Sequence, residues 1–290
     1  MDKKGSVQGE KRTPALRHMG VQSLAALIQN ANFKGFFTGK IYTGSGKNVC
    51  VPGLNCYSCP GAVGACPLGS LQNYLSGMKF RFPYYVLGLL LFFGALLGRA
   101  VCGFLCPFGF LQDLLYLIPF YKKNRFFADK FLRYLKYAVL AFLVILLPLS
   151  TPLTPAFCKY MCPSGTLSGI LLGLWNSAVR KQMGSLFHWK LLIFLIVVMT
   201  ALIVWRPFCK YLCPLGAFYG FFNRIALWRM HLDKSACISC GACSKACRMN
   251  IDPSKKPNSM ECVRCGDCVR ACPVKALHQG FTSPVQKKES

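Results

Sequence analysis

Eighteen of the 290 residues are cysteines, and eight of these form two consecutive motifs near the C-terminus. In each motif three cysteines stand three positions apart, and a fourth follows four positions later. Bacterial two-cluster ferredoxins bind two 4Fe-4S clusters with this spacing, and each fourth cysteine crosses to the other cluster. The spacing therefore predicts one cluster on Cys237, Cys240, Cys243 and Cys272 and a second on Cys262, Cys265, Cys268 and Cys247. Zinc is the alternative for paired C-x2-C motifs, but two consecutive triplets with a fourth cysteine argue against it.

The other ten cysteines include an internal repeat. The pattern C-x3-C-P-x-G occurs over 102–109, 158–165 and 209–216, and residues 66–69 repeat its second half. Residues four apart share a helix face, so each motif is predicted to present two thiols in one direction. Proline suits the first position of a helix, so the cysteine before it is predicted to be the N-cap. The helix dipole favours an anionic cluster at this end of the helix. Redox-active dithiols or inert buried thiols are the alternatives.

Apolar segments next to these motifs must position them. Three of these segments, 82–98, 137–153 and 191–205, approach the roughly 17 to 25 residues that cross a bilayer, and a basic stretch at 122–136 precedes the second. The composition is 53% hydrophobic and 15% charged, and the only acidic residues between Glu10 and Asp233 are Asp113 and Asp129. A soluble protein could hardly cover the apolar segments with so little polar surface. We therefore interpret them as membrane spans.

The remaining segments complete the predicted architecture. Residues 21–37 either cross as a first span or lie at the interface, and 164–179 form a re-entrant or half-length helix. The predicted fold class is an all-α polytopic membrane domain of about four transmembrane helices plus re-entrant segments, followed by a bacterial two-cluster ferredoxin-like domain. The predicted boundaries are a basic cytoplasmic N-terminus (1–20), the membrane domain (21–231), the ferredoxin-like domain (232–278) and a tail (279–290).

The predicted topology determines which of the remaining cysteines can meet. With four crossings and a cytoplasmic N-terminus, the cytoplasmic ends of the second and fourth spans carry Cys102, Cys106, Cys209 and Cys213. Four thiolates suffice for one cluster. The opposite ends carry Cys50, Cys56, Cys59, Cys66, Cys158 and Cys162. By repeat symmetry Cys66, Cys158 and Cys162 are predicted ligands of another cluster, the fourth is Cys59 or Cys56, and Cys50 is the spare.

The motifs together resemble the NapH and NosR group of membrane polyferredoxins. The resemblance is carried by the string CVPGLNCYSCP at 50–60, ACPLG at 65–69, the C-x3-C-P repeats and the tandem C-terminal motifs, and covers about 21–277. It implies four crossings and electron transfer between the quinone pool or cytoplasmic carriers and an extracytoplasmic reductase. The sequence departs from the NapH pattern in its polar first span and in having three C-x3-C-P motifs. No large extracytoplasmic domain of the NosR type is present, so the NosR role is not transferred.

The predicted function is that of a membrane-bound iron-sulfur electron-transfer protein in the cell membrane, with its ferredoxin-like domain in the cytoplasm. Cytoplasmic carriers or quinol would lie at one end of the path and an extracytoplasmic redox protein at the other. No catalytic residue is assigned; His18, Asp113 and His188 are the few candidates for a proton acceptor beside a quinone. The formal charge of +26 does not indicate nucleic-acid binding, because the basic residues flank apolar runs.

Two other functions remain open. One is a membrane thiol-disulfide relay with a ferredoxin tail, which would hold about eight iron atoms per chain. The other is a component of a redox-driven ion transporter. This second reading is disfavoured because no Asp or Glu lies between Asp129 and Asp233 to bind an ion or proton within the membrane.

Overall fold

The computed structural model describes residues 16–77, 83–123, 129–150 and 154–281. Most of the predicted N-terminus (1–20) and of the tail (279–290) lies outside the described residues. The described part of the chain up to residue 222 is mainly helical, and its longest non-helical segment, 39–66, contains only a short 3-10 turn. Its helices are α1 Leu16–Gln29, α2 Phe33–Thr38, α3 Pro67–Leu75, α4 Tyr84–Leu97, α5 Ala100–Phe104, α6 Pro107–Leu117, α7 Asp129–Val139, α8 Leu147–Ser150, α9 Ala156–Tyr160, α10 Pro163–Trp175, α11 Ser177–Lys181, α12 Ser185–Ile203, α13 Pro207–Tyr211 and α14 Pro214–Phe222, with a 3-10 turn at Ser45–Asn48.

Two helices in the described ranges are long and apolar enough to cross a membrane. The first runs over Asp129–Ser150, where α7 continues through a π-helical stretch, Leu140–Leu146, into α8; its mean hydropathy is 1.8. The second is α12, with a mean hydropathy of 2.3. Only 22% and 11% of their apolar windows are buried inside the protein, whereas a core helix of a soluble protein is mostly buried. Apolar side chains that face outward along the whole helix favour contact with lipid.

The prediction of four crossings is not confirmed. Residues 21–37 are divided, because α1 ends at Gln29 and α2 begins only at Phe33. In the break, the amides of Asn30 and Asn32 donate to the carbonyls of Ala26 and Pro60. Helix α4 has 14 residues, about 21 Å, which is less than the roughly 30 Å of a bilayer core. Helix α10, in the segment predicted to be re-entrant or half-length, has 13 residues and is too short to cross alone.

The short helices pack around the C-x3-C-P motifs. Helix α12 contacts α6 and α10, and α14 contacts α4 and α7. A buried core runs through these contacts and includes Phe108, Phe208, Leu215 and Tyr219 together with several cysteines. The C-x3-C-P motifs are thereby placed in the interior of the helical domain.

The C-terminal domain is closed by a two-stranded antiparallel sheet. Strand β1, Arg229–Leu232, pairs with β2, Leu277–Gly280, in the register Arg229 to Gly280 and Leu232 to Leu277. Between the strands lie two short helices, α15 Ala242–Ala246 and α16 Asp267–Arg270. The sheet brings the two ends of the domain together around both cysteine motifs.

Candidate metal centres

The C-terminal cysteines line two separate small cavities. One is lined by Cys237, Cys240, Cys243 and Cys272, and the other by Cys262, Cys265, Cys268 and Cys247. Each cavity thus gathers three cysteines of one motif and the fourth of the other, the grouping that the spacing predicts. The remaining walls are largely apolar, with Leu232 and Leu277 at the first and Met249 and Val263 at the second. We name the four cysteines of the first cavity, which include Cys237, the distal set. The four cysteines of the second cavity, which include Cys262, are named the proximal set.

The donor chemistry of these sets fits a four-iron cubane. No three His, Cys, Asp or Glu side chains in the described residues converge as the ligands of a single metal ion do. A cubane binds each cysteine at a different iron atom, so its ligands surround a hollow. The backbone N–H of Ala276 donates to Cys272 Sγ at 3.2 Å, which suits a thiolate. Burial raises the pKa of the Cys247 and Cys262 thiols, so free thiols here would stay neutral.

The two C-terminal motifs are structural repeats of one another. Left-handed backbone occurs in pairs that are 25 residues apart: Ser239 with Arg264, Gly241 with Gly266, and Asn250 with Lys275. Alternating right- and left-handed residues point successive N–H groups toward one centre, which favours an anion. Each cysteine loop therefore has the same backbone turn, although the residue types at two of the three positions differ.

The C-x3-C-P motifs form junctions between two helices. In the motif at 102–109, for example, Cys106 caps α6 after α5 has ended at Phe104. The prediction that the second cysteine is an N-cap is confirmed for Cys66, Cys106, Cys162 and Cys213. The two cysteines of a motif do not share a helix face, which is the ground for expecting their thiols to point in one direction, because Cys102 lies in α5 and Cys106 caps α6. The following proline keeps the residue before it extended, and Cys106 has φ −89 and ψ 115.

Two junctions meet to form the inner set, defined as Cys102, Cys106, Cys209 and Cys213. All four are buried, and Cys213 lies close enough to the other three for their charges to interact. The N–H groups of Gly109 and Gly216 donate to Cys106 and Cys213 Sγ at 3.4 Å. The amide of Gln112 donates to Cys209 Sγ at 3.2 Å. The site therefore directs hydrogen-bond donors at the sulfur atoms, as a bound anionic cluster requires.

A further group of four cysteines lines a cavity of about 550 Å³. This outer set consists of Cys56, Cys66, Cys158 and Cys162. Of the two candidates for the fourth position, the structure brings Cys56 into the cavity, whereas Cys59 Sγ lies 3.9 Å from Asn30 Oδ1. Cys50, predicted as the spare, lies beside Ser70 Oγ at 3.5 Å. Lys47 and Lys190 also line the cavity and supply positive charge.

Two buried arginines connect the junctions of the inner set reciprocally. Arg99 donates from Nη2 to the carbonyl of Cys209 at 3.0 Å, and Arg206 donates from Nη1 to the carbonyl of Cys102 at 2.6 Å. A Cβ at Gly109 would lie 3.4 Å from Arg206, and one at Gly216 would lie 3.4 Å from Arg99. Each arginine thus contacts the first cysteine and the glycine of the opposite motif.

Sequence reasoning missed these arginines, although a signal exists. Arg99 and Arg206 each stand three residues before the first cysteine of their motif, whereas Pro155 holds that place before Cys158. The pattern R-x2-C-x3-C-P-x-G therefore distinguishes the two motifs that meet from the third. Arg206 also pairs with Asp113, its Nε donating to Oδ1 at 2.8 Å.

A short extended segment joins the inner and outer sets. The N–H of Leu54 is directed at the Cys106 thiol, the N–H of Asn55 at the Cys66 thiol, and Cys56 itself belongs to the outer set. A Cβ at Gly53 would lie 2.8 Å from Cys106 Cα, so this approach requires glycine. Fully buried Tyr219 packs between the sets and donates to the carbonyl of Pro52 at 3.0 Å.

The proximal set lies against the inner set. Arg99 donates to the carbonyl of Met260 at 2.8 Å and to Glu261 at 3.0 Å, and Lys136 also pairs with Glu261. Burial would raise the pKa of Glu261, but Arg99 and Lys136 outweigh it and lower the pKa. Asn223 donates to the carbonyl of Cys262 at 2.7 Å. The same arginine therefore touches the inner set and the loop that carries the proximal set.

The three candidate proton acceptors lie in different surroundings. Asp113 is buried and paired with Arg206, and His188 is exposed on α12. His18 is buried, with its ring edge-on to Phe104 at 4.8 Å. Its Nε2 has no hydrogen-bond partner among the described residues.

The comparisons with known proteins identify 4Fe-4S binding regions in this chain. A family model described as a 4Fe-4S binding domain matches residues 64–85, 82–125, 135–182 and 186–233. A second model, also described as a 4Fe-4S binding domain, matches 256–278. No solved structure shows a significant match to the chain.

Three curated relatives illustrate the similarity. The uncharacterized protein MJ0749 of Methanocaldococcus jannaschii is 31% identical over 67% of this chain and 69% of its own length. The methylamine utilization ferredoxin-type protein MauN of Paracoccus denitrificans is 28% identical over 61% of this chain and 58% of its own length. The ferredoxin-type protein NapH of Haemophilus influenzae is 26% identical over 55% of this chain and 50% of its own length. The chain that gathers its cysteines in this way is therefore an iron-sulfur electron-transfer protein that belongs to the 4Fe-4S binding domain family, as a polyferredoxin of the NapH type.

Proposed function

We propose that the chain conducts electrons across the cell membrane through four cysteine sets, in the order distal, proximal, inner and outer. A 4Fe-4S cluster, when bound, takes up and gives back electrons at a potential set by its thiolates and their surroundings. The residues of each set hold one such cluster in this proposal. The observation that carries this proposal is a continuous path of contacts. It runs from Met260 and Glu261, just before Cys262, through Arg99 to the inner set, and from there through the segment 54–56 to the outer set.

Positive charge indicates which end of the Asp129–Ser150 helix faces the cytoplasm. Lys122, Lys123, Lys130, Arg133 and Lys136 precede the apolar part of the Asp129–Ser150 helix. Clusters of Lys and Arg next to a span favour the cytoplasmic side. The ferredoxin-like domain packs against this end of the helix through Lys136 and Glu261. We therefore place the distal and proximal sets in the cytoplasm and the outer set toward the extracytoplasmic face, where a second redox protein would exchange electrons.

The test uses the holoprotein in sealed proteoliposomes, with reductant outside and a membrane-impermeant acceptor inside. We expect transfer by the wild type, with about sixteen iron atoms per chain. Cys66→Ser should remove about four iron atoms and stop transfer, while the spectra of the C-terminal clusters persist. Cys50→Ser is the control and should match the wild type. A wild type that holds only about eight iron atoms would favour the thiol-disulfide relay instead.

A second candidate function, oxidation of a quinol, is favoured by the surroundings of His18. Phe104, which His18 contacts, lines an apolar cavity of about 320 Å³ with Leu97, Leu105 and Trp228. Burial lowers the pKa of His18, which favours the neutral ring, the form that can accept a proton. His18→Gln should slow reduction by quinol but not by dithionite, with exposed His188→Gln as the control. Equal quinol rates in both variants would contradict this role.

A further inference from the structure

A cleft of about 970 Å³ opens between the start of α7, the end of α14 and the loop before the proximal set. Lys130, Arg133, Tyr134 and Tyr137 line it from one face of α7, since they occupy positions i, i+3, i+4 and i+7. The opposite walls contain Phe221 and Arg224 and the residues from Lys256 to Glu261. None of the functions discussed above uses this cleft.

The cleft presents positive charge that the protein does not neutralise. The side chains of Lys130, Arg224 and Lys256 are exposed and make no hydrogen bond or ion pair with any described residue. Arg133, in contrast, pairs with Asp129, and Glu261 pairs with Arg99 and Lys136. The single carboxylate of the cleft is thus already neutralised, and three free cations face the opening.

The same cleft has an aromatic wall at the entry to an apolar helix. Tyr134 is 69% exposed and Phe221 is 53% exposed, and the rings of Tyr137 and Phe221 lie 5.5 Å apart. Beyond Tyr137 the helix continues as the apolar part of the Asp129–Ser150 span. A phospholipid at a membrane interface has its charged headgroup next to cations, its interfacial region next to aromatic rings, and its acyl chains next to an apolar surface. The cleft offers these three surfaces in the same order.

We propose that this cleft binds an anionic phospholipid. Lys130, Arg224 and Lys256 would contact its phosphate, and its acyl chains would follow Tyr134 and Phe221 along the span. The proposal rests on the membrane location in the proposed function, but not on electron transfer. An acidic protein would satisfy the cations but would leave the aromatic wall beside the span unexplained.

The experiment compares lipid binding by detergent-solubilised holoprotein, using native mass spectrometry with phosphatidylglycerol or phosphatidylcholine as the probe. The variant is Lys130→Gln with Arg224→Gln and Lys256→Gln, and the control replaces three exposed cations elsewhere, Lys181, Lys234 and Lys275, with Gln. We expect the wild type and the control to prefer phosphatidylglycerol. The cleft variant should bind it roughly fivefold more weakly per lost cation, on the order of a hundredfold in total.

Further measurements distinguish lipid binding from the binding of free phosphate or of an acidic protein. Inorganic phosphate should compete poorly, because it lacks acyl chains; displacement of the lipid by millimolar phosphate would overturn the proposal. Equal phosphatidylglycerol binding by the cleft variant and the control would also overturn it. The proposal would be overturned as well if the cleft variant bound the lipid normally and lost only the binding of an acidic redox protein. Iron content and transfer in proteoliposomes are measured on the same samples, so failure of the electron-transfer proposal would be seen separately.

Discussion

Arg99 carries a buried positive charge between two cysteine sets. Its guanidinium touches the carbonyl of Cys209 in the inner set and Glu261 beside the proximal set. Reduction adds negative charge to a cluster, and a fixed cation nearby favours the reduced form. At the scale of one residue, Arg99 is therefore expected to raise the potential at which the inner set accepts an electron.

Arg99→Gln should lower the reduction potential of the inner cluster by tens of millivolts, given about 60 mV per tenfold change in a one-electron equilibrium. Redox titration followed by electron paramagnetic resonance measures this shift. Arg99→Lys keeps the charge and serves as the control. A potential that is unchanged in Arg99→Gln, with full iron content, would show that the charge does not act on this cluster.

Arg206 has a different role, because it neutralises buried Asp113. Removing one partner of a buried ion pair costs about 3–5 kcal/mol. Arg206→Gln should therefore lower the Tm of the solubilised holoprotein. Adding Asp113→Asn should recover part of the loss, because the unpaired charge is then removed. If the double variant melts as low as the single one, the hydrogen bond to the carbonyl of Cys102 matters more than the ion pair.

Local spacing was enough to predict which cysteines cap helices and which C-terminal cysteines line the same cavity. The N-cap cysteines and the grouping of the C-terminal cysteines follow from proline positions and from turns of a few residues. The reciprocal arginines could not be predicted in this way, because Arg99 and Cys209 meet only through the tertiary fold. The break at Asn30–Asn32 was also missed, since it depends on Pro60 as the acceptor for Asn32.

At the scale of elements, contact between the ferredoxin-like domain and α5 depends on one glycine. A Cβ at Gly103 would lie 2.5 Å from the carbonyl of Val263, next to Cys262. Gly103→Ala should push the domain away and expose it to protease, whereas Gly88→Ala on α4 meets nothing within 4 Å. Limited proteolysis under anaerobic conditions measures this difference. Equal resistance of the two variants would indicate that the loop yields without loss of contact.

The duplicated C-terminal loops exchange their fourth cysteines. Cys247 is the fourth cysteine of the first motif but lines the same cavity as the first three cysteines of the second. Cys247→Ala should therefore damage the cluster held by Cys262, Cys265 and Cys268 and spare the distal one. Iron counting and electron paramagnetic resonance distinguish the two. Loss confined to the Cys237 cluster would reject the crossed arrangement.

At the scale of the whole molecule, the two ends of α12 are expected on opposite sides of the membrane. Lys181 lies just before the helix, and the N–H of Lys123 donates to the carbonyl of Ile203 at its far end. Nineteen residues span about 28 Å. A labelling site introduced beside Lys181 should react from outside the cell, and one beside Lys123 only after permeabilisation. The opposite pattern would reverse the order of the four sets.

The reciprocal arginines also imply an order in which the proposed inner set is assembled. The inner set needs Cys102 and Cys106 together with Cys209 and Cys213, and each junction is held by an arginine of the other. A nascent chain that contains only the first junction has two of the four inner cysteines. It also lacks the partners of Arg99 and of Asp113, which come later in the sequence. In the proposed function, iron can therefore enter the inner set only after α12 and the junction that follows it have been synthesised. A chain truncated before residue 206 would lack Cys209 and Cys213 and could not complete the inner set.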